Sequence, residues 1–202
     1  MQPDPPIPGQ TPLDDLSGLR LPAIRTRADL DAAEAASIRR AMVKYVAGRP
    51  SRRSARFDVP WIRRLHREMF GRVWSWAGEL RRRETNLGSL PAQIEADLHS
   101  LAEDLRAWEA SGMPLLEQAA RLHHGAVRIH PFLNGNGRWA RMLANIWLRL
   151  HGSEPTEWPE ATIGTASVIR GEYLEAIRAA DRGDRTKLIA LHERFVRKDS
   201  TD

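Results

Sequence analysis

The sequence predicts an all-α protein, a helical bundle carrying one short β-hairpin. Three observations predict it. Apolar residues recur at intervals of three and four through most of the chain, as on one face of a helix; Leu115, Ala119, Leu122, Ala126 and Ile129 are the clearest run. The breaks between such runs fall on Ser111-Gly112, His130-Pro131 and His151-Gly152, residues that end helices through their backbone preferences. With 202 residues, 42% hydrophobic and 28% charged, the chain can bury one real core. The expected organisation is a proline-rich arm over residues 1–25 and a single helical domain over 26–202.

Each element has its own reason. Asp4-Pro5-Pro6-Ile7-Pro8 cannot form a helix, because proline lacks the amide donor and fixes φ. Thr26 to Val46 reads as the first helix. Asp29 and Asp31 suit its positive N-terminal pole, and Leu30, Ala33, Ile38, Met42 and Val46 form its expected stripe. After a polar loop, Trp61 to Trp74 reads as the second helix, with Trp61, Leu65 and Met69 facing the core. Gly78 to Ser89 is too short for a helix and carries the turn residues Asn86 and Gly88, so it reads as the hairpin. Pro91 starts the third helix at its first turn. Pro114 opens the fourth, and Pro131 pushes His130 out of helical geometry at its end. Arg138 to Leu150 is apolar enough for a helix buried on most sides. Two further helices are expected over Thr165 to Ala180 and Asp184 to Val196.

Composition narrows the chemistry. Without cysteine there is no disulfide, thiolate nucleophile or thiolate metal site. No apolar run approaches the length of about 18 residues that suggests a membrane span. The N-terminus has no basic stretch followed by an apolar one, so a cytoplasmic protein is expected. The net charge of +5 rests almost wholly on arginine, since lysine occurs only at Lys44, Lys187 and Lys198. No nucleic-acid-binding motif accompanies that charge, and the arginines read as solvated surface.

The chemistry concentrates in Ile129-His130-Pro131-Phe132-Leu133-Asn134-Gly135-Asn136-Gly137-Arg138-Trp139-Ala140-Arg141. Two glycines bracket Asn136, so the backbone can turn successive amides to one side as an anion nest. The start of the next helix adds its positive pole. Arg138 and Arg141 lie on one face of that helix and can grip phosphate oxygens with two parallel bonds each. A neutral imidazole at His130 can take a proton from a hydroxyl attacking the bound phosphate. The glycine spacing also matches a dinucleotide fingerprint, but that fingerprint requires a preceding strand, and here a helix precedes it. No Walker-type Gly-Lys-Ser/Thr segment is present.

This segment resembles the signature of the Fic (Fic/Doc) family, His-x-Phe-x-Asp/Glu-Gly-Asn-Gly-Arg-x-x-Arg. His130, Phe132, Gly135, Asn136, Gly137, Arg138 and Arg141 match, and Asn134 departs from the family's acid. Trp76-Ala77-Gly78-Glu79 resembles the family's segment before its flap. The resemblance is good over residues 61–150, and the whole chain resembles a bacterial subgroup named mobile mystery protein B. It implies an all-α fold and transfer of AMP from ATP to a Ser, Thr or Tyr hydroxyl of a target protein. It implies His130 as general base, Gly135, Asn136 and Gly137 on the α-phosphate, and Arg138 and Arg141 on the outer phosphates. It implies Phe132 as the anchor of the loop in the core. The flap residues Thr85, Asn86, Leu87 and Gly88 would align the target as an added strand. The family's acid holds Mg²⁺; Asn134 offers an oxygen without charge, so weaker metal binding is expected.

Many relatives carry an inhibitory Ser/Thr-x-x-x-Glu-Gly/Asn helix. Thr156 to Glu160 is followed by Ala161, and Glu34 has no Ser or Thr four residues before it. Internal inhibition is therefore not expected, and a separate inhibitor protein or none is. His123 and His124 read as packing or surface histidines, and Arg81 to Arg83 as a solvated base of the flap. Two other functions stand beside AMP transfer: phosphoryl transfer, as in the Doc branch, and a non-enzymatic nucleotide- or DNA-binding regulator.

Overall fold

The computed structural model describes residues 16–163 and 167–196. The fold is all-α: α1 (Arg27–Met42), α2 (Val59–Phe70), α3 (Ile94–Ala110), α4 (Leu115–Ile129), α5 (Asn136–Leu150), α6 (Glu160–Ile163), α7 (Val168–Asp181) and α8 (Thr186–Arg194). Helix α1 starts in a capping box, in which Thr26 accepts from the Asp29 amide and the Asp29 carboxylate accepts from the Thr26 amide. The chain then widens into a π turn over Val43–Ala47. Asp58 caps α2 at Trp61 N. Pro91–Gln93 forms a 3₁₀ turn leading into α3.

Helices α4 and α5 form the centre, joined through residues 130–135 and packed along each other. Trp61, Leu65, Met69 and Phe70 of α2 and Leu98 of α3 meet Leu122 and Ala126 of α4 and Trp139, Leu143 and Trp147 of α5 in the main core. Each such large side chain contributes about 1.5–3 kcal/mol by leaving water. A second cluster unites Ala120 of α4 with Trp158, Tyr173, Ile177, Leu188 and Leu191. So α4 is held on both sides, and the loop that follows it starts from a rigid end.

Several sequence expectations need correction. No β-strand occurs among the described residues, and the hairpin is absent. The backbone amides at the ends of segment 81–89 bond to the α4–α5 connection instead of across a hairpin: Arg81 N donates to Pro131 O at 2.9 Å and Ser89 N to Ile129 O at 3.1 Å. Helix α2 stops at Phe70 with Gly71 as its cap, short of Trp74. The buried face of α1 is Leu30, Glu34, Ser37 and Ala41, while Met42 is exposed; a carboxylate sits inside the expected stripe. Residues 1–15 of the arm and the start of the helix expected from Thr165 lie outside the described residues. The described part of the arm runs beside the segment after α2, with Arg20 N donating to Val73 O and Ser75 N to Gly18 O. Among the described residues no helix is long and apolar enough to cross a membrane.

Candidate active site

Helix α4 ends at His130, whose backbone is left-handed at φ 51, ψ 57. That conformation costs a non-glycine residue about 1–3 kcal/mol and persists only where surroundings enforce it. Pro131 excludes the right-handed alternative, and the Arg81 guanidinium donates from Nε to the His130 carbonyl at 2.8 Å. Burial, then the nearby Arg81 charge, push the His130 imidazole down to about 4 against a favourable backbone contact from Val127. At neutral pH it is uncharged and able to accept a proton.

The following turn is closed by its own side chains. Asn136 Oδ1 accepts from Phe132 N at 3.0 Å, and Asn136 Nδ2 donates to Phe132 O at 2.9 Å. Both ends of that amide are tied within the loop, which fixes the side chain and sets the main-chain N–H of Asn136 at the start of α5. Phe132 is fully buried, stacked on His66 with centroids 3.7 Å apart and edge-on to Trp139. His66 pins the turn from below. Gly78 N donates to His66 Nδ1 at 3.0 Å, which leaves the ring proton on Nε2 to donate to Asn134 O at 3.0 Å. Burial holds His66 neutral, with its pKa near about 3. Gly135 is left-handed at φ 78 and lies on Phe70; a Cβ there would meet the ring at 2.7 Å. Helix α5 then begins, and the amides of Asn136, Gly137 and Arg138 in its first turn have no intrahelical acceptor.

Both arginines expected on the outer phosphates are engaged by carboxylates. Arg138 Nη1 donates to Glu34 Oε2 at 2.6 Å; Glu34 is buried and its other oxygen accepts from Trp74 Nε1 at 2.6 Å. Arg141 is buried and donates from Nε to Glu160 Oε1 at 2.7 Å. Burial works against the Arg141 charge, but Glu160 and Tyr173 hold its pKa above the ordinary value. The incomplete inhibitory motif at Thr156 to Glu160 thus still places a carboxylate on Arg141, and Glu34 places a second on Arg138. Asn134 Oδ1 accepts from Gly135 N at 2.7 Å.

The flap corrects one further expectation. Arg81 is not a solvated charge: it is 3% exposed and donates to the carbonyls of His130, Arg83 and Ser89. Arg82 and Arg83 are exposed, as expected. Thr85 Oγ1 donates to Leu87 O, and Asn86, Leu87 and Gly88 lie at the surface. Gly88, at φ 100, comes so close that a Cβ would stand 2.6 Å from that of His130. The structure therefore gathers His130, Gly135, Asn136, Gly137, Arg138 and Arg141 around one turn, with Gly88 of the flap beside it.

The family model described as Fic/DOC family matches residues 56–148. That segment is a Fic/DOC-family domain. Over 128 residues, 61% of its length, the chain is 32% identical to the protein adenylyltransferase Fic of Drosophila ananassae. Over 145 residues, 69% of this chain, it is 32% identical to the protein adenylyltransferase fic-1 of Caenorhabditis briggsae. The chain spans about a quarter of the length of these relatives, 24% and 26% respectively. The fold is shared with the BepC protein of Bartonella tribocorum, solved with bound AMPPNP (TM-score 0.64, 19% identity, 88% of this chain and 90% of that one). It is also shared with a Fic-1 fragment of C. elegans (TM-score 0.67, 22% identity, 87% of this chain and 50% of that one). Around the Fic motif, sequence reasoning missed His66, Arg81, Glu34, Glu160 and Tyr173. A signal existed for Glu34, a carboxylate four residues after Leu30 on the buried face of α1.

Proposed function

We propose that this Fic domain transfers AMP from ATP to a Ser, Thr or Tyr hydroxyl of a target protein. The observation that carries the reading is the neutral His130 imidazole held against the turn whose amides and arginines suit a polyphosphate. The target hydroxyl gives its proton to the imidazole as its oxygen bonds to the α-phosphorus. The bond from that phosphorus to the bridging oxygen breaks, and pyrophosphate leaves with its charge on Arg138 and Arg141. Open amides at the start of α5 meet the negative charge that develops on the α-phosphate. A target segment laid along residues 85–88 presents its hydroxyl to His130 with limited sequence readout.

Magnesium fits this chain poorly as a resident ion. Among the described residues no group of three His, Cys, Asp or Glu side chains could hold a metal. Asn134 supplies one neutral oxygen that already accepts from Gly135. Any Mg²⁺ is therefore assigned to the nucleotide, as part of the substrate. Incubation with ATP and intact-mass measurement tests the reading. An adenylyl adduct on the protein or an added target supports it; a phosphoryl adduct favours the Doc-like reaction, and no adduct with salt-sensitive DNA binding favours the regulator.

A further inference from the structure

Arg141 has two kinds of neighbour. The Glu160 side chain is 50% exposed and can yield to an incoming phosphate. Tyr173 of α7 is buried in the second cluster; its ring centroid is 5.6 Å from the Arg141 guanidinium carbon, and the Arg141 charge acts on its hydroxyl. Behind Tyr173 a line of buried polar groups leads away from the site. The Tyr173 hydroxyl is 3.0 Å from His123 Nε2, His123 Nδ1 is 3.1 Å from His192 Nε2, and His192 Nδ1 is 2.9 Å from Thr156 Oγ1. Asn145 fixes the last member, accepting from Thr156 N and donating to Thr156 O at 2.9 Å each.

The direction of every bond follows from its first member. The Arg141 cation beside Tyr173 favours the hydroxyl orientation that turns the oxygen toward it and the proton away. Its own proton then needs an acceptor, and His123 Nε2 is the partner in reach. Burial keeps both histidines uncharged, so each carries one ring proton. That proton sits on Nδ1 of His123, which donates to His192 Nε2, and on Nδ1 of His192, which donates to Thr156. Each dipole in the line turns its negative end toward the Arg141 cation, and aligned bonds of this kind strengthen one another.

We propose that Tyr173, His123 and His192 are positioning residues, a one-directional hydrogen-bond chain that fixes Arg141 for the outer phosphates of the nucleotide. Glu160 is the exchangeable partner of that arginine and Tyr173 the permanent one. The nucleotide site thus extends to α7 and α8, beyond the segment matched by the family model. The proposal rests on the reading of Arg141 as a phosphate ligand.

The full chain, ¹⁵N-labelled at histidine, tests it by long-range nitrogen–proton NMR together with calorimetry against ATP and AMP. The wild type should show Nδ1–H tautomers at both His123 and His192. Tyr173→Phe keeps the ring that stacks on His123 and removes only the hydroxyl. It should stay folded with a lowered melting temperature, because His123 Nε2 loses its buried partner, lose ATP affinity about tenfold, equivalent to about 1.4 kcal/mol, and leave AMP affinity unchanged. It should also release His123 from its single tautomer. An Nε2–H tautomer or a charged ring at His123 in the wild type would overturn the chain, and that measurement needs no variant. Equal losses of ATP and AMP in a folded Tyr173→Phe would overturn the positioning role. Correct tautomers in a wild type that binds ATP no better than AMP would overturn the phosphate role of Arg141, a failure distinct from a wrong tautomer.

Discussion

Arg81 Nε and the carbonyl of His130 are joined by a 2.8 Å hydrogen bond, so one guanidinium holds the candidate base and, through Arg83 and Ser89, both ends of the flap. The same cation faces the imidazole it positions. This gives the flap an electrostatic role besides its mechanical one.

Removing that charge should raise the His130 pKa. Burial is the main cause of the depression to about 4, and Arg81 adds to it. Arg81→Met takes away the charge and loosens the cover, and both act upward. The imidazole would then lose its neutral form at a higher pH, and the acid limb of transfer activity should move up with it. An NMR titration of His130 in both proteins measures this directly; an unchanged or lower pKa in the variant would contradict the arrangement.

Buried histidines should make the fold acid-sensitive. His66 and His192 sit near about 3 and His130 near about 4, each depressed chiefly by burial from an ordinary 6.5. Between those values and 6.5 the unfolded chain binds more protons than the folded one. Stability is therefore complete above 6.5 and falls as the pH drops, by up to about 1.4 kcal/mol per histidine per pH unit. Urea denaturation on either side of 6.5 should show a steep loss on the acid side. Equal stabilities there would mean that the histidines are not buried as described.

Glu160→Gln should strengthen ATP binding. The glutamate is half exposed but offsets the buried Arg141 charge, so its neutralisation should cost about 1–3 kcal/mol of folding stability. Arg141 would be free of a competing carboxylate, and ATP should bind up to about tenfold more tightly. Glu34→Gln should act on Arg138 in the same sense, with a stability loss of about 1–3 kcal/mol because Glu34 is buried between Arg138 and Trp74. Calorimetry with ATP decides; unchanged or weaker binding in Glu160→Gln would mean that the carboxylate does not compete with phosphate.

Asn134→Asp should lower the Mg²⁺ concentration needed for half-maximal transfer. The first oxygen keeps its bond from Gly135 N, and the second brings the charge that Asn134 lacks. The gain is limited because the triphosphate itself carries the ion. If wild type and variant share one Mg²⁺ dependence, residue 134 does not face the metal.

The helices and the turn were legible because each rests on local signals. Thr26 with Asp29, Pro91, Pro114 and His130-Pro131 act within a few residues of themselves, and the spacing of α4 reports its own buried face. The partners of the turn were not legible. Glu34 meets Arg138 across 104 residues, Tyr173 lies beside Arg141, and His192 joins Tyr173 through His123, from helices that no motif marks. Arg81 is the first of three consecutive arginines, and only the fold separates the buried one from its exposed neighbours. The hairpin failed for a related reason. Glycine and asparagine announced a turn at 86–88, but the backbone on either side found its acceptors in the α4–α5 connection.

The central claim is that His130 moves the proton while the turn behind it holds the nucleotide. Wild type and His130→Ala, each incubated with α-labelled and γ-labelled ATP and assayed in parallel for ATP binding, test it most directly. The account predicts protein labelled from the α-position only, a loss of about 10²–10⁴-fold in the variant, and ATP affinity largely retained. Full labelling by His130→Ala, or labelling from the γ-position, would contradict it.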